Sequence, residues 1–172
     1  MKRVWMVLLA LCLMATTVQA ADLKVGYVDL QKALALSEAG KTAKAKLDSE
    51  VKAVEEEVKQ RQSDLTALQE SLKKQVAMLS DEAKREKELE FQQQVKDYQR
   101  FVKDKQEEMR GKEMAFTQQI LRDLGKQVVD LSEAEKVTVM MEKGQLVYAV
   151  DSIDYTDKLI KAYDKVYKEG HK

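Results

Sequence analysis

The chain has 172 residues, 30 basic and 30 acidic side chains, no proline and only six glycines. Because proline and glycine set most turns, a fold of many short strands, such as a β-sandwich or barrel, is disfavoured. Aromatic residues make up 6% of the chain and the mean hydropathy is −0.49, which argues against a large globular core. The composition indicates a mostly helical protein with much of its surface in water.

The first twenty residues have the pattern of a secretory signal peptide. Lys2 and Arg3 precede an almost continuous apolar run from Val4 to Val18, and Val18-Gln19-Ala20 supplies the small residues of a cleavage site. About 15 apolar residues are short for a membrane span of roughly 20, so cleavage after Ala20 is favoured over an anchor. Residues 1–20 are therefore predicted to be removed.

Cleavage changes the charge balance. The mature chain, residues 21–172, would have no cysteine and 28 basic against 30 acidic residues, a net charge of −2. An exported chain without cysteine has no disulfides and no thiol chemistry. In a bacterium with two membranes the predicted location is the periplasm, whereas in an organism with one membrane the chain would be secreted. The negative net charge disfavours a nucleic-acid partner.

A heptad seam of apolar residues predicts the first long helix, from about Ser37 to Leu79. Between Lys41 and Arg110 there is no glycine or proline, and the apolar residues recur at spacings of 4, 3, 4, 7, 3, 4 and 7. The seam residues are Leu47, Val51, Val54, Val58, Leu65, Leu68, Leu72 and Leu79. At 1.5 Å per residue this helix would be roughly 65 Å long.

A second helix is predicted to begin after Ser80, which has the character of an N-cap followed by acidic residues. Its seam residues are Phe91, Val95, Tyr98, Val102, Met109, Phe116, Ile120, Leu124, Val128 and Leu131. The connection is too short for anything but an antiparallel return, so residues 37–131 are predicted to form a coiled-coil hairpin arm. Polar residues in the seam and Gly111 and Gly125 predict that this arm is bendable.

The two ends of the chain are predicted to fold together as a body of residues 21–36 and 132–172. A β-prone run from Leu23 is followed by Asp29, a candidate cap for a helical turn, and residues 137–141 and 146–150 are two further strand candidates. Residues 142–145, with Gly144 in a left-handed conformation, are predicted to join these two strands as a hairpin. A last helix is predicted from Asp154 onward.

The predicted fold class is therefore α+β and mostly helical, with a small three-stranded β body and the arm inserted between strands 1 and 2. Such a body is too small to be stable alone, and its strands carry apolar residues on both faces. We expect a second copy of the chain to cover the extra face. The expected oligomer interface consists of Val25, Val28, Val137, Val139 and Val147.

Nothing in the sequence predicts an enzyme. His171 is the only histidine, and the mature chain has no cysteine, so neither a zinc site nor a nucleophile–histidine dyad is expected. There is no glycine-rich phosphate loop, and no cofactor is expected.

Basic residues are in excess near the predicted arm tip, where they outnumber the neighbouring acids by two. These tip charges are Lys73, Lys74, Lys84, Arg85 and Lys87, against Asp81, Glu82 and Glu86. They could meet acidic head groups or a charged client, and an ordinary solvated helix end is the alternative.

Several short segments of the chain resemble the Skp (OmpH-like) periplasmic chaperones. The segments are Val25-Gly26-Tyr27-Val28-Asp29-Leu30-Gln31-Lys32-Ala33-Leu34, Ala39-Gly40-Lys41, Tyr148-Ala149-Val150-Asp151 and Ile153-Asp154-Tyr155-Thr156. The resemblance implies a homotrimer whose arms surround a cavity that holds unfolded outer-membrane β-barrel proteins without ATP. Lipopolysaccharide or a membrane surface is a further partner that it suggests, although the familiar members are markedly basic and this mature chain is slightly acidic.

Client contact is expected from apolar arm residues whose surface the seam does not use up. The candidates are Met78, Phe91, Phe101, Met109, Met114 and Phe116, because methionine is adaptable and phenylalanine offers a large apolar area. For Phe91, Met109 and Phe116 a role in the coiled-coil core is at least as well supported, whereas Phe101 and Met114 lie off the seam. A structural adaptor or spacer of the cell envelope is the alternative function.

Overall fold

The computed structural model describes residues 23–75 and 78–170, which form two strands, four α-helices and two 3-10 turns. The elements are β1 (Val25–Val28), α1 (Leu30–Leu36), α2 (Glu38–Gln75), α3 (Asp81–Ala134), β2 (Val139–Glu142), the turns Lys143–Gln145 and Asp151–Ile153, and α4 (Thr156–Gly170). The predicted signal peptide, its cleavage site and His171 lie outside the described residues.

The sheet of the described chain is a parallel pair. Val25 lies opposite Val139 and Val28 lies opposite Glu142. Parallel strands need a long crossover connection, and here the crossover consists of α1, α2 and α3. The chain is therefore mostly helical with a small sheet that joins its two ends.

The expected three-stranded sheet is not formed by the described residues, which contain two strands. The segment 143–145 is a 3-10 turn in which the Glu142 carboxylate accepts a hydrogen bond from the Gly144 N–H at 2.6 Å, and no described glycine has a positive φ. Lys143 also forms an ion pair with Asp29 at 3.2 Å, which ties the turn to the start of α1. These contacts turn the chain away from a hairpin, and residues 146–150 pair with no strand among the described residues.

The core lies where both ends of the chain meet the base of α3. Its buried members are Val28, Ala33, Ala39, Ile120, Leu124, Tyr155, Leu159 and Tyr163. Leu124 and Leu159 are fully buried, so α4 packs directly on α3. Ile120 and Leu124, which the sequence placed in the arm, are thus part of the body core.

Two predicted helix caps are confirmed. The Asp29 carboxylate accepts a hydrogen bond from the Lys32 N–H at 2.8 Å, and the Ser80 hydroxyl accepts one from the Ala83 N–H at 3.4 Å. Each side chain satisfies one backbone donor that has no partner in the first turn of its helix.

The long helices α2 and α3 contact each other in opposite chain directions. Lys112 of α3 contacts Glu50 of α2, and Phe101 of α3 lies beneath Arg61 of α2. A later residue of α2 thus contacts an earlier residue of α3, so the two helices are antiparallel. At 1.5 Å per residue the 38 residues of α2 extend about 57 Å.

Gly40 allows the close approach of α1 and α2 at the start of the arm. A Cβ at this position would overlap the carbonyl oxygen of Leu34 and lie 3.2 Å from the Ser37 hydroxyl. By contrast, a Cβ at Gly111, in the middle of α3, would have nothing within 4 Å.

Substitution of these two glycines by alanine is predicted to have opposite effects on the stability of the protein. Gly40→Ala should destabilise the protein by about 1–3 kcal/mol, because the new methyl group overpacks a tight helix junction. Gly111→Ala should stabilise it by up to about 1 kcal/mol, because alanine has the higher helix propensity. Urea unfolding followed by circular dichroism measures both, and a shift of the same sign in the two variants would contradict the packing of the junction.

Candidate functional site

The candidate site is the surface of the arm, and polar contacts hold its two helices in register. The Lys112 ammonium lies 2.6 Å from the Glu50 carboxylate across the arm and 2.9 Å from Glu108 on its own helix. Lys105 lies 2.7 Å from Glu108 as well. Hydrogen bonds from these two lysines lower the pKa of Glu108 to about 2.

Phe101 is less available to a client than its place off the seam indicated. The Arg61 guanidinium lies over its ring at 3.9 Å from the centroid and is held there by Glu57 at 2.7 Å. The ring is half-buried by this cation–π contact. Arg61, a polar interruption of the seam, therefore contributes to the contact between the helices.

The seam leaves open grooves on both sides of the Lys112 contact. One groove of about 450 Å³ is lined by Val51, Val54, Val58, Val102 and Met109, together with polar residues at its rim. A second, of about 410 Å³, lies at the base of the arm and includes Phe116. Met109 and Phe116 are half-buried and line these grooves, so the structure places them at the seam rather than on the outer surface.

The most exposed apolar side chains of the arm lie near its tip, midway along α3 and, at Val129 with 57% exposure, toward the end of α3. Met78 is 89% exposed and Met114 is 50% exposed, whereas Phe91 is half-buried. Leu89, at 65% exposed, was missed by the sequence reasoning. Leu89 lies two residues before the seam residue Phe91 and outside the heptad pattern, and this position could have predicted its exposure.

Two of the tip charges are already paired by neighbours on α3. Lys84 lies 3.5 Å from Asp81, and Lys87 lies 2.8 Å from Glu90, whose hydrogen bond raises the pKa of Lys87. Lys73 and Lys74 occupy the last turn of α2, where they complement the negative end of the helix dipole. Arg85 is exposed.

The residues expected at an oligomer interface are not equally accessible. Val147 is fully exposed and Val139 is 42% exposed, but Val28 is 2% exposed because it belongs to the chain's own core. Val25 and Val137 are half-buried. The structure adds Tyr148, at 82% exposed, which the sequence reasoning did not assign to the interface.

Comparison with known proteins identifies the family. The family described as "Outer membrane protein (OmpH-like)" matches residues 24–163, which is most of the chain. The chain belongs to the OmpH-like family. The resemblance seen in the short sequence segments is thereby confirmed.

One solved structure shows the same fold as this OmpH-like chain. It is the crystal structure of an OmpH-like protein from Caulobacter crescentus CB15, described as a candidate outer membrane chaperone. The match has a TM-score of 0.79 and 20% sequence identity, and it covers 83% of this chain and 84% of the other. The search of curated proteins gives no match. Among the helices that the structure describes, none has the length and apolar character needed to cross a membrane.

The Glu108 contacts predict that the stability of the OmpH-like arm depends on pH. Because its folded pKa lies below the usual value of 4.5, ionised Glu108 stabilises the arm above that value, and this contribution is lost as the pH falls toward about 2. Glu108→Gln should therefore lower the melting temperature by a few degrees at pH 7, and the difference from the wild type should vanish near pH 2.

The matched control is Glu56→Gln, since Glu56 is exposed on α2 and has no ion pair among the described residues. Thermal unfolding followed by circular dichroism at several pH values compares the three proteins. A gap between Glu108→Gln and wild type that stays constant from pH 7 to pH 2 would refute the electrostatic role.

Proposed function

We propose that the protein is an ATP-independent holdase of the periplasm, which binds unfolded outer-membrane proteins and prevents their aggregation. The observation that carries this proposal is the exposed apolar surface of the arm at Met78, Leu89 and Met114. Membership of the OmpH-like family and the candidate chaperone role of the Caulobacter relative support it. No enzymatic step and no cofactor are part of the proposal.

Holding would work through many weak contacts spread along the arm. Flexible thioethers adapt to clients of different shape, and each exposed apolar side chain removes client surface from water. The open grooves beside Met109 and Phe116 offer further apolar surface to a client. Because no single contact is strong, a client can be released without nucleotide hydrolysis.

The unpaired segment 146–150 supports a homotrimer with a cavity between three arms. Leu146 and Val150 have extended backbone angles, and Val147 and Tyr148 project into solvent. An extended apolar segment that has no partner strand in the described part of the chain favours pairing with another copy. In this proposal Val139 and Val147 lie at the interface, together with Tyr148 and Val150.

Client binding by the arm predicts a loss of activity when its exposed apolar residues become polar. Met78→Gln/Leu89→Gln/Met114→Gln should raise the concentration that halves aggregation of an unfolded β-barrel protein by roughly threefold to tenfold, since each change removes part of the apolar contact. Light scattering measures this concentration.

The matched control is Leu23→Gln/Leu36→Gln/Val166→Gln, which changes three exposed apolar residues of the body. This control should suppress aggregation as the wild type does. Equal loss in both triple variants would show that the arm has no special role in client contact.

The trimer predicts a change of mass when charge is placed on the unpaired segment. Val147→Lys should give a monomer in size-exclusion chromatography with light scattering, because a buried lysine without a partner opposes association. Val129→Lys, at a residue of α3 that is 57% exposed, should leave the mass at three chains. A trimeric Val147→Lys variant would exclude this segment from the interface.

A structural adaptor or spacer of the cell envelope is the second candidate function. It is favoured by the position of Met78, which is 89% exposed beside the arm tip. An adaptor would form a stoichiometric complex through the tip and would not suppress aggregation of unfolded clients. The light-scattering assay above therefore separates the two functions.

A further inference from the structure

Methionine is the most readily oxidised residue type that the mature chain would contain. The only cysteine, Cys12, and the only tryptophan, Trp5, lie in the predicted signal peptide. The thioether sulfur of methionine becomes a sulfoxide when an oxidant transfers one oxygen atom to it. Because an exported protein works in an oxidising compartment, the accessibility of each sulfur decides where such an oxidant acts.

Two methionines are more accessible than the others that the structure describes. Met78 is 89% exposed and Met114 is 50% exposed. Met109 is half-buried beside a groove of the seam, and Met140 and Met141 are half-buried in β2. Since packing shields a sulfur atom from solvent, an oxidant in water should reach Met78 and Met114 first.

These two thioethers lie where a sulfoxide changes the surface of the arm and leaves the packing intact. Met78 lies between α2 and α3, and Met114 lies on α3. Neither is among the residues that line the two grooves or that form the described core. By contrast, Met140 packs against the core, where a polar sulfoxide would disturb the body.

We propose that Met78 and Met114 are sites of reversible oxidation by peroxides, and that their oxidation lowers the affinity of the arm for unfolded clients. This inference rests on the proposed function, in which both side chains contact the client. Oxidation replaces an apolar, flexible thioether with a polar sulfoxide. Because a polar group is costly to remove from water, the client gains less from contact with the oxidised side chain.

The reaction balances with a peroxide as the oxidant. The sulfur lone pair attacks one peroxide oxygen, an S–O bond forms and the O–O bond breaks, so sulfur loses a pair of electrons and hydrogen peroxide is reduced to water. Reversal needs a thiol reductant and a methionine sulfoxide reductase for each sulfoxide epimer. A pair of thiols then becomes a disulfide, the oxygen atom leaves as water, and the thioether is restored.

Peptide mass spectrometry of the full mature chain after treatment with hydrogen peroxide tests the assignment of the sites. One added oxygen atom should appear on Met78 and Met114 before it appears on Met109, Met140 or Met141. Circular dichroism should show that the fold is retained at this stage. Earlier oxidation of any of the three half-buried methionines would overturn the proposal.

The light-scattering assay tests the effect on client binding, and each protein is compared with itself before and after peroxide. Oxidation should raise the concentration of wild type that halves client aggregation by roughly twofold to fivefold, since two apolar contacts become polar. Treatment with both sulfoxide reductases and dithiothreitol should reverse this rise. Met78→Leu/Met114→Leu, which keeps apolar side chains without sulfur, should not respond to peroxide.

The matched control is Met140→Leu/Met141→Leu, because it also removes two thioethers but leaves the exposed pair. It should respond to peroxide as the wild type does. A wild-type response in Met78→Leu/Met114→Leu would overturn the proposal. Loss of the response in Met109→Leu would assign it to the seam and would overturn the proposal as well.

Failure of this inference and failure of the proposed function give different results. A wild type that holds clients equally well before and after Met78 and Met114 are oxidised would reject the effect of oxidation and leave the holdase intact. An untreated wild type that does not suppress aggregation would reject the holdase, and the proposed effect on client affinity with it. The order of oxidation measured by mass spectrometry does not depend on either result.

Discussion

The structure depends on closure of the two chain ends over the base of α3. The Asp29 N–H donates a hydrogen bond to the Thr156 hydroxyl at 2.9 Å, and Thr156, Leu124 and Leu159 are fully buried around this junction. The arm lies between residues 29 and 156, so this closure fixes where α2 begins and where α3 ends. The seam between α2 and α3, with its open grooves, is too loosely packed to define that geometry alone.

The loose seam has a functional consequence. Ion pairs and a cation–π contact, at Lys112 and at Arg61, replace some of the apolar packing expected in a coiled coil. Such contacts specify register more than they add stability. Apolar side chains that a tight seam would bury, such as Met109, remain beside open grooves, so a marginal coiled coil and an adaptable apolar surface have the same cause.

Local patterns predicted the helices and their caps, because a heptad seam and an N-cap depend on neighbours within a few residues. The third strand was wrongly placed within the chain for the opposite reason. Residues 146–150 are a continuous β-prone apolar run, but such a run does not show which strand is its partner, and the Glu142–Gly144 contact redirects the chain. The same limit applies to Val28, whose burial is decided by distant α4, and to Leu89, whose exposure follows from helix pairing.

Net charge is a poor guide to the surfaces of this fold. Salt screens exposed charges beyond about 10 Å, so a partner responds to the charges of the face it meets rather than to the whole chain. Asp29 and Asp164 are half-buried because the turn and α2 hold them, whereas Asp157 pairs with Lys32 of α1 and stays exposed. The contacts that close the body therefore withdraw part of the acidic charge from the surface, and the charge that a partner meets differs from one face of the protein to another.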